Sequence, residues 1–205
     1  MRRIGVIALL LLALAPSCGG SPEPKASAAT RAACPAAWKV TWQKLANRIH
    51  APVYCPSWMP DPLTGQIAGQ WNNIDSVDPH DRSYLMGFLW QEKGIEIHVN
   101  LRGYPGRTRI PTCSDTRTVA GKTRRVPIPC FADPGGRKRG PGIDATVYTV
   151  NQDADQWHIL YAWRRKGSLY TLSQHVAPPL GYAGAVRSLD HMLRSLVLVE
   201  PNSPA

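Results

Sequence analysis

The chain has 205 residues, with 24 Lys and Arg against 14 Asp and Glu, a formal net charge of +10 and a hydrophobic share of 43%. That length suits one domain with one core. No stretch reaches the roughly 20 apolar residues that a membrane-spanning helix needs, and the basic excess directs attention to anionic partners.

Met1-Arg2-Arg3 precede an apolar run from Ile4 to Ala15, and Pro16-Ser17 then lead to Cys18. A positive start, a short apolar segment and small residues before a cut describe an export signal over residues 1–17. A cysteine directly after that cut resembles a bacterial lipoprotein signal. The pattern usually has Leu three places before the cysteine; here Ala15 stands there, with Leu14 one step earlier. The resemblance implies a lipidated Cys18. Each buried methylene contributes about 0.8 kcal/mol, and more than one chain makes attachment stable. Residues 18–33 form the lipid anchor and a flexible Gly-, Ser-, Pro- and Ala-rich tether. The folded domain is expected over 34–199, and 200–205 as a disordered tail.

Within the domain, Trp38, Trp42, Leu45 and Ile49 recur on one helical face. Pro52, Pro56, Pro60 and Pro62 then enforce extended chain. Tyr84 to Gln91 reads as a strand with Tyr84, Met86, Phe88 and Trp90 on one face. Ile95, Ile97, Val99 and Leu101 alternate with polar residues in the next strand, across a hairpin at Glu92-Lys93-Gly94. Further strands are expected at Asp144–Val150, Gln156–Arg164 and Ser168–Val176, the second with Trp157, Ile159, Tyr161 and Trp163 inward. Val186, Leu189, Leu193 and Leu196 define a closing amphipathic helix. The pattern predicts an α+β fold: an antiparallel sheet with an N-terminal and a C-terminal helix packed on one face.

Setting Cys18 aside leaves Cys34, Cys55, Cys113 and Cys130. An even number in an exported chain reads as two disulfides, and four cysteines allow three connectivities. Local loop closure favours Cys34–Cys55 and Cys113–Cys130, each stabilising the fold by about 3 kcal/mol in the chain-entropy model.

The segment Pro52-Val53-Tyr54-Cys55-Pro56-Ser57-Trp58-Met59-Pro60 resembles the P-V-x-x-P-S-Y-L-P opening of DUF4367-type extracytoplasmic domains. Trp163 to Leu172 and the helix Val186 to Leu196 are similar to that family's aromatic hairpin and closing helix. The likeness covers about a third of the mature chain, and the basic, cysteine-bearing middle departs from it. It implies a binding or sensing module, by analogy of fold.

Motifs for chemistry are missing. No Gly-x-Ser-x-Gly elbow, His-Glu-x-x-His helix or Cys-x-x-Cys pair occurs. Ala120-Gly121-Lys122-Thr123 resembles the end of a phosphate loop but lacks its first glycine. Asp75, Asp78, His80 and Asp81, and separately Asn151, Asp153 and Asp155, have the composition of turns, where these side chains bond the local backbone. The six histidines show no catalytic spacing. Neither a catalytic set, a cofactor nor a metal is expected.

Charge is the stronger signal. Removing Arg2 and Arg3 with the signal leaves 22 basic and 14 acidic residues, a net of +8. Residues 102–139 contain ten basic and two acidic residues and so carry the same +8. Their Gly and Pro content places them on loops. Arg102, Arg107, Arg109, Lys122, Arg124, Arg125, Arg137, Lys138 and Arg139 are the candidate anion-binding residues. The expected function is a lipid-anchored, non-enzymatic envelope protein that binds anionic lipids or polymers or senses the envelope. No nucleic-acid reading module is present. A carrier with an aromatic-lined cavity is the first alternative, because seven tryptophans are available; a hydrolase with an unrecognised site is the second.

Overall fold

The computed structural model describes residues 32–63, 72–150 and 157–202, and the side chains of these except 72–75 and Val119. The elements in chain order are α1 (Ala36–Ile49), β1 (Val53–Pro56), β2 (Asn72–Val77), β3 (Tyr84–Glu92), β4 (Ile95–Tyr104), β5 (Thr112–Val119), β6 (Lys122–Pro129), β7 (Phe131–Gly140), β8 (Ile143–Val150), β9 (His158–Arg165), β10 (Ser168–His175), α2 (Tyr182–Ser195) and β11 (Leu196–Val199). Cys18, Asn151, Asp153 and Asp155 lie outside the described residues.

Seven strands form an antiparallel sheet in the order β2-β3-β4-β10-β9-β8-β7. With the two helices this is the α+β class that the periodicities predict. β1 pairs with β11, and β5 pairs with β6 as a separate two-stranded ribbon. Three of the hairpins turn on two residues with positive φ: Lys93-Gly94, Ala120-Gly121 and Lys166-Gly167. This is the geometry of type I′ turns, whose twist matches that of the flanking strands. Ala120-Gly121 is therefore a hairpin tip, and the likeness of this stretch to a phosphate loop ends there.

Every residue of β10 from Ser168 to Gln174 is buried. The strand sits at the centre of the sheet and both its faces are covered. On one face Tyr170 and Leu172 join the large core with Trp42, Phe88, Val99, Tyr161, Trp163 and Leu189. On the other, Leu169 joins a smaller cluster with Cys130, Phe131, Val150, Leu160 and Ala162. The alternation of β9 places Ile159, Tyr161 and Trp163 in the first and Leu160 and Ala162 in the second.

Aromatic rings carry much of the large core. Trp38 stacks on Trp42 at 5.1 Å, and both approach Phe88 of β3. Tyr54 meets Trp163 and Tyr170 edge-on at 5.1 and 5.0 Å. Two of these rings bond to backbone: Trp42 Nε1 donates to Tyr54 O at 2.8 Å, and Tyr170 Oη donates to Pro52 O at 2.8 Å. These two bonds fasten the proline-rich segment to α1 and to the central strand. Burial raises the Tyr170 hydroxyl to about 12, so it remains a donor.

Both local cysteine pairs are bonded, Cys34–Cys55 and Cys113–Cys130. The first ties the entry of α1 to β1. The second closes the foot of the ribbon, where Cys130 N–H also donates to Pro111 O at 2.9 Å. Disulfides of this kind fit an oxidising, extracytoplasmic compartment. Among the described residues no helix is long and apolar enough to cross a membrane.

The loop expectation for residues 102–139 is corrected. Most of this segment is strand: the end of β4, then β5, β6 and β7. Thr112 to Val119 and Lys122 to Pro129 lack an apolar period because the ribbon is largely exposed. Pro127 and Pro129 are tolerated because β6 pairs on one side only. In β7, the Asp133-Pro134-Gly135-Gly136 stretch is a bulge against β8, not a chain break.

Gly103 faces Tyr84 across the β3–β4 pair, and a Cβ added there would lie 2.2 Å from Tyr84 Cε1. Tyr84 is buried, so its ring must shift within the core to make room. Gly103→Ala is expected to destabilise the fold by about 1–3 kcal/mol, the usual cost of overpacking a core, read as a lower urea midpoint at unchanged slope. An unchanged midpoint would show that the ring can shift.

Candidate functional site

Three features distinguish the surface: the basic ribbon, a row of histidines on one sheet face, and a cleft at the end of the sheet.

The nine candidate cations are spread over three places. Arg102 lies on β4 beside a narrow pocket lined by Cys113, Cys130, Phe131 and Thr171. Arg107 and Arg109 follow β4 on exposed chain, and Arg107 Nη2 pairs with Asp81 Oδ2 at 2.9 Å. Lys122, Arg124 and Arg125 are exposed on β6. Arg137, Lys138 and Arg139 lie on β7, at the edge of the sheet. Arg137 pairs with Asp144 on β8, which lowers the Asp144 carboxyl chiefly through that hydrogen bond. Lys138 Nζ pairs with Asp190 on α2 at 2.8 Å. Of the nine candidates, Arg107, Arg137 and Lys138 are engaged with carboxylates that lie far away in sequence or on a neighbouring strand.

Asp190 also accepts a bond from Tyr161 Oη at 2.7 Å. Burial first, and this carboxylate second, push the Tyr161 hydroxyl well above its ordinary range. Lys138, Tyr161 and Asp190 together tie β7, β9 and α2 to one another. This is a structural role, and sequence spacing gives no sign of it.

The ribbon is different. Arg117 stands directly opposite Arg124, and Val119 opposite Lys122. Residues opposite one another share a face, so Arg117, Lys122 and Arg124 lie on the same side of the ribbon, with Asp115 beside Arg117 at 3.0 Å. Arg125 projects from the other side, between Pro127 and Thr123.

On the sheet face away from the large core, β4 and β10 change from apolar to polar along their length. Tyr104 and Leu169 lie at the end under the ribbon; His98 and His175 lie at the other. His175 pairs with His158 across β10 and β9. The three rings form a row, His98–His158 and His158–His175 each 5.1 Å between centroids. Glu96 bridges the outer two, 2.9 Å from His175 Nδ1 and 3.8 Å from His98 Nδ1. The histidines show no catalytic spacing in the sequence because three strands bring them together. Their signal was alternation: His98, His158 and His175 each occupy a position of opposite parity to the core residues of its strand. Among the described residues no group of three or more His, Cys, Asp or Glu side chains is arranged to hold a metal.

The acidic turn near residue 80 behaves as its composition predicts. Asp78 Oδ1 accepts His80 N–H at 2.7 Å, and Asp81 Oδ1 accepts Ser83 N–H at 2.9 Å. The bonds to Ser83 are the main reason that the Asp81 carboxyl is lowered, with Arg107 adding to them. Asp75 belongs to β2.

The cleft has a volume of about 390 Å³ and lies at the ends of β8, β9 and β10. Trp157 has the same parity as Ile159, Tyr161 and Trp163, yet it is 71% exposed. The expectation that it packs in the core is corrected, and the reason is positional. α2 begins at Tyr182, and beyond that point Val147, Ile159 and Val176 form the floor of an open cleft. Tyr182, 66% exposed, and the β7 bulge at Asp133 and Gly135 form its rim.

Comparison with known proteins gives no match: neither a family model, nor a curated protein, nor a solved structure is similar to this chain.

The two tryptophan environments differ sharply in what they contribute to stability. Trp42→Ala is expected to cost about 3–5 kcal/mol, the range for emptying a large core site. Trp157→Ala is expected to stay within about 0.5 kcal/mol of the parent, as exposed positions do. Paired denaturant curves check this; a large loss in the second variant would mean that the cleft is a closed part of the core.

Proposed function

We propose that the chain is a lipid-anchored, non-enzymatic envelope protein that binds an anionic envelope partner through the β5–β6 ribbon. One observation carries this reading. The ribbon sets Arg117 against Arg124 with Lys122 alongside, and Asp115 offsets only one of them. Like charges placed directly opposite weaken a strand pair, so this element carries a destabilising arrangement that an anion would relieve. The Cys113–Cys130 bond at its foot restricts the ribbon and lowers the entropy lost on binding. In the same reading both helices cover one face of the sheet and leave the other to the ribbon. The tether of residues 18–33, attached through Cys18, would hold the ribbon near a charged surface. There each basic residue contributes about 1 kcal/mol.

The engaged state of Arg137 and Lys138 decides which variants test this. Arg117, Lys122, Arg124 and Arg125 changed together to Gln should weaken binding to anionic liposomes at low salt by at least about tenfold, given about 1 kcal/mol for each cation. The pair Arg137→Gln and Lys138→Gln should change it far less. Parent affinity should fall as salt rises, because exposed charges are screened over about 8–10 Å. Equal binding by the ribbon variant and the parent would remove the ribbon from the function.

Attachment has its own test. Cys18→Ser should release the protein from the membrane fraction or block its processing. A variant that stays bound and is processed as before would contradict the anchor.

A further inference from the structure

We propose that the cleft between Trp157, Tyr182 and Asp133 binds an organic ammonium ion, a small cation with an apolar body of the quaternary ammonium type. The proposal is independent of the ribbon.

Its first support is the aromatic rim. The described residues include three exposed large hydrophobic side chains, Val40, Trp157 and Tyr182, and two of them border this one cleft. Scattered exposed hydrophobics need no explanation, whereas two aromatics at the rim of a concavity with an aliphatic floor of Val147, Ile159 and Val176 do. The volume of about 390 Å³ is at the small end of the range for ligand pockets, which suits a compact ligand.

Charge is the second support, and it selects the class of ligand. The chain carries a formal +10. Among the described residues that line the cleft there is no Lys or Arg, and the carboxylate of Asp133 is the one acidic group. The nearest cations along β7 are turned to other work, Arg137 on Asp144 and Lys138 on Asp190. Tyr148 and His158 border the cleft from the opposite side of the sheet, where their rings pack on Phe131 and His175. A locally acidic, aromatic concavity on a basic protein is complementary to a cation. The negative faces of Trp and Tyr rings attract a cation within about 6 Å, and an apolar body gains from leaving water for the aliphatic floor.

Calorimetric titration of the full chain with benzyltrimethylammonium, 3-phenylpropionate and 3-phenylpropanol tests this, because the three probes share one ring and differ in charge. The ammonium should bind at least about tenfold more tightly than the other two, in line with one or two cation–π contacts. Trp157→Ala should weaken it by about tenfold and Asp133→Asn by about threefold, each removing one attractive element. The four-residue ribbon variant should bind it as the parent does. Should Trp157→Ala fail to fold, Asp133→Asn still decides, since that position is exposed and the change is isosteric. Equal binding of the three probes, preference for the carboxylate, no heat with any probe at millimolar concentration, or an Asp133→Asn variant indistinguishable from the parent would each overturn the proposal.

Discussion

β10 is the constraint on which the rest of the fold depends. A strand buried from Ser168 to Gln174 must be covered on both faces, and a single layer of helix cannot do that. One face is closed by the large core. At one end of the other, the cover comes from Cys113, Cys130 and Phe131 at the base of the ribbon. Without that second cover Leu160, Ala162 and Leu169 would meet water. At roughly 25 cal/mol per Å² of apolar surface, exposing three such side chains would cost several kcal/mol. The ribbon therefore has a structural foot and an exposed tip, and charge is tolerable only on the tip.

How much of this could be read in the sequence follows from how burial writes itself into periodicity. β4 is buried on one face, so Ile97, Val99 and Leu101 alternate openly with polar residues, while in β3 Tyr84, Met86 and Phe88 share a face but alternate with Leu85, Gly87 and Leu89. The helices show their stripes for the same reason. In β9 the face of Ile159, Tyr161 and Trp163 is legible, but the burial of the opposite face of β9 and β10 is not, because the pattern does not say which neighbour covers it. β5 and β6 were invisible to an argument from hydrophobicity: a ribbon with little buried surface has no apolar period. The signal they did carry was the Thr-rich alternation around Ala120-Gly121. β2, β1 and β11 are also hidden, the last two because β1 is only four residues, following Pro52 and ending at Pro56, and β11 runs directly on from α2.

Of the candidate sites, what depended on short-range chemistry was legible and what depended on topology was not. The two cysteine pairs are local, and counting sufficed. The Glu96–His98–His158–His175 row and the Lys138–Tyr161–Asp190 tie join residues up to 79 positions apart, which no spacing rule spans. Trp157 was assigned to the core on correct parity. The missing information was the position of Tyr182, since parity tells which way a side chain points and not whether anything lies there to meet it.

The edge position of β7 has a consequence for how copies of this chain meet. An open edge offers unpaired N–H and C=O groups to any passing strand, the starting point of aggregation. β7 presents Arg137, Lys138 and Arg139 in succession, after a bulge that carries Pro134. A strand laid along it would have to set its own backbone against three cations and follow a kink it does not share; an identical strand would bring six cations into one seam. A stretch whose charge reads in the sequence as bait for an anion thus also acts as a fence, keeping neighbouring molecules from zipping together along this edge.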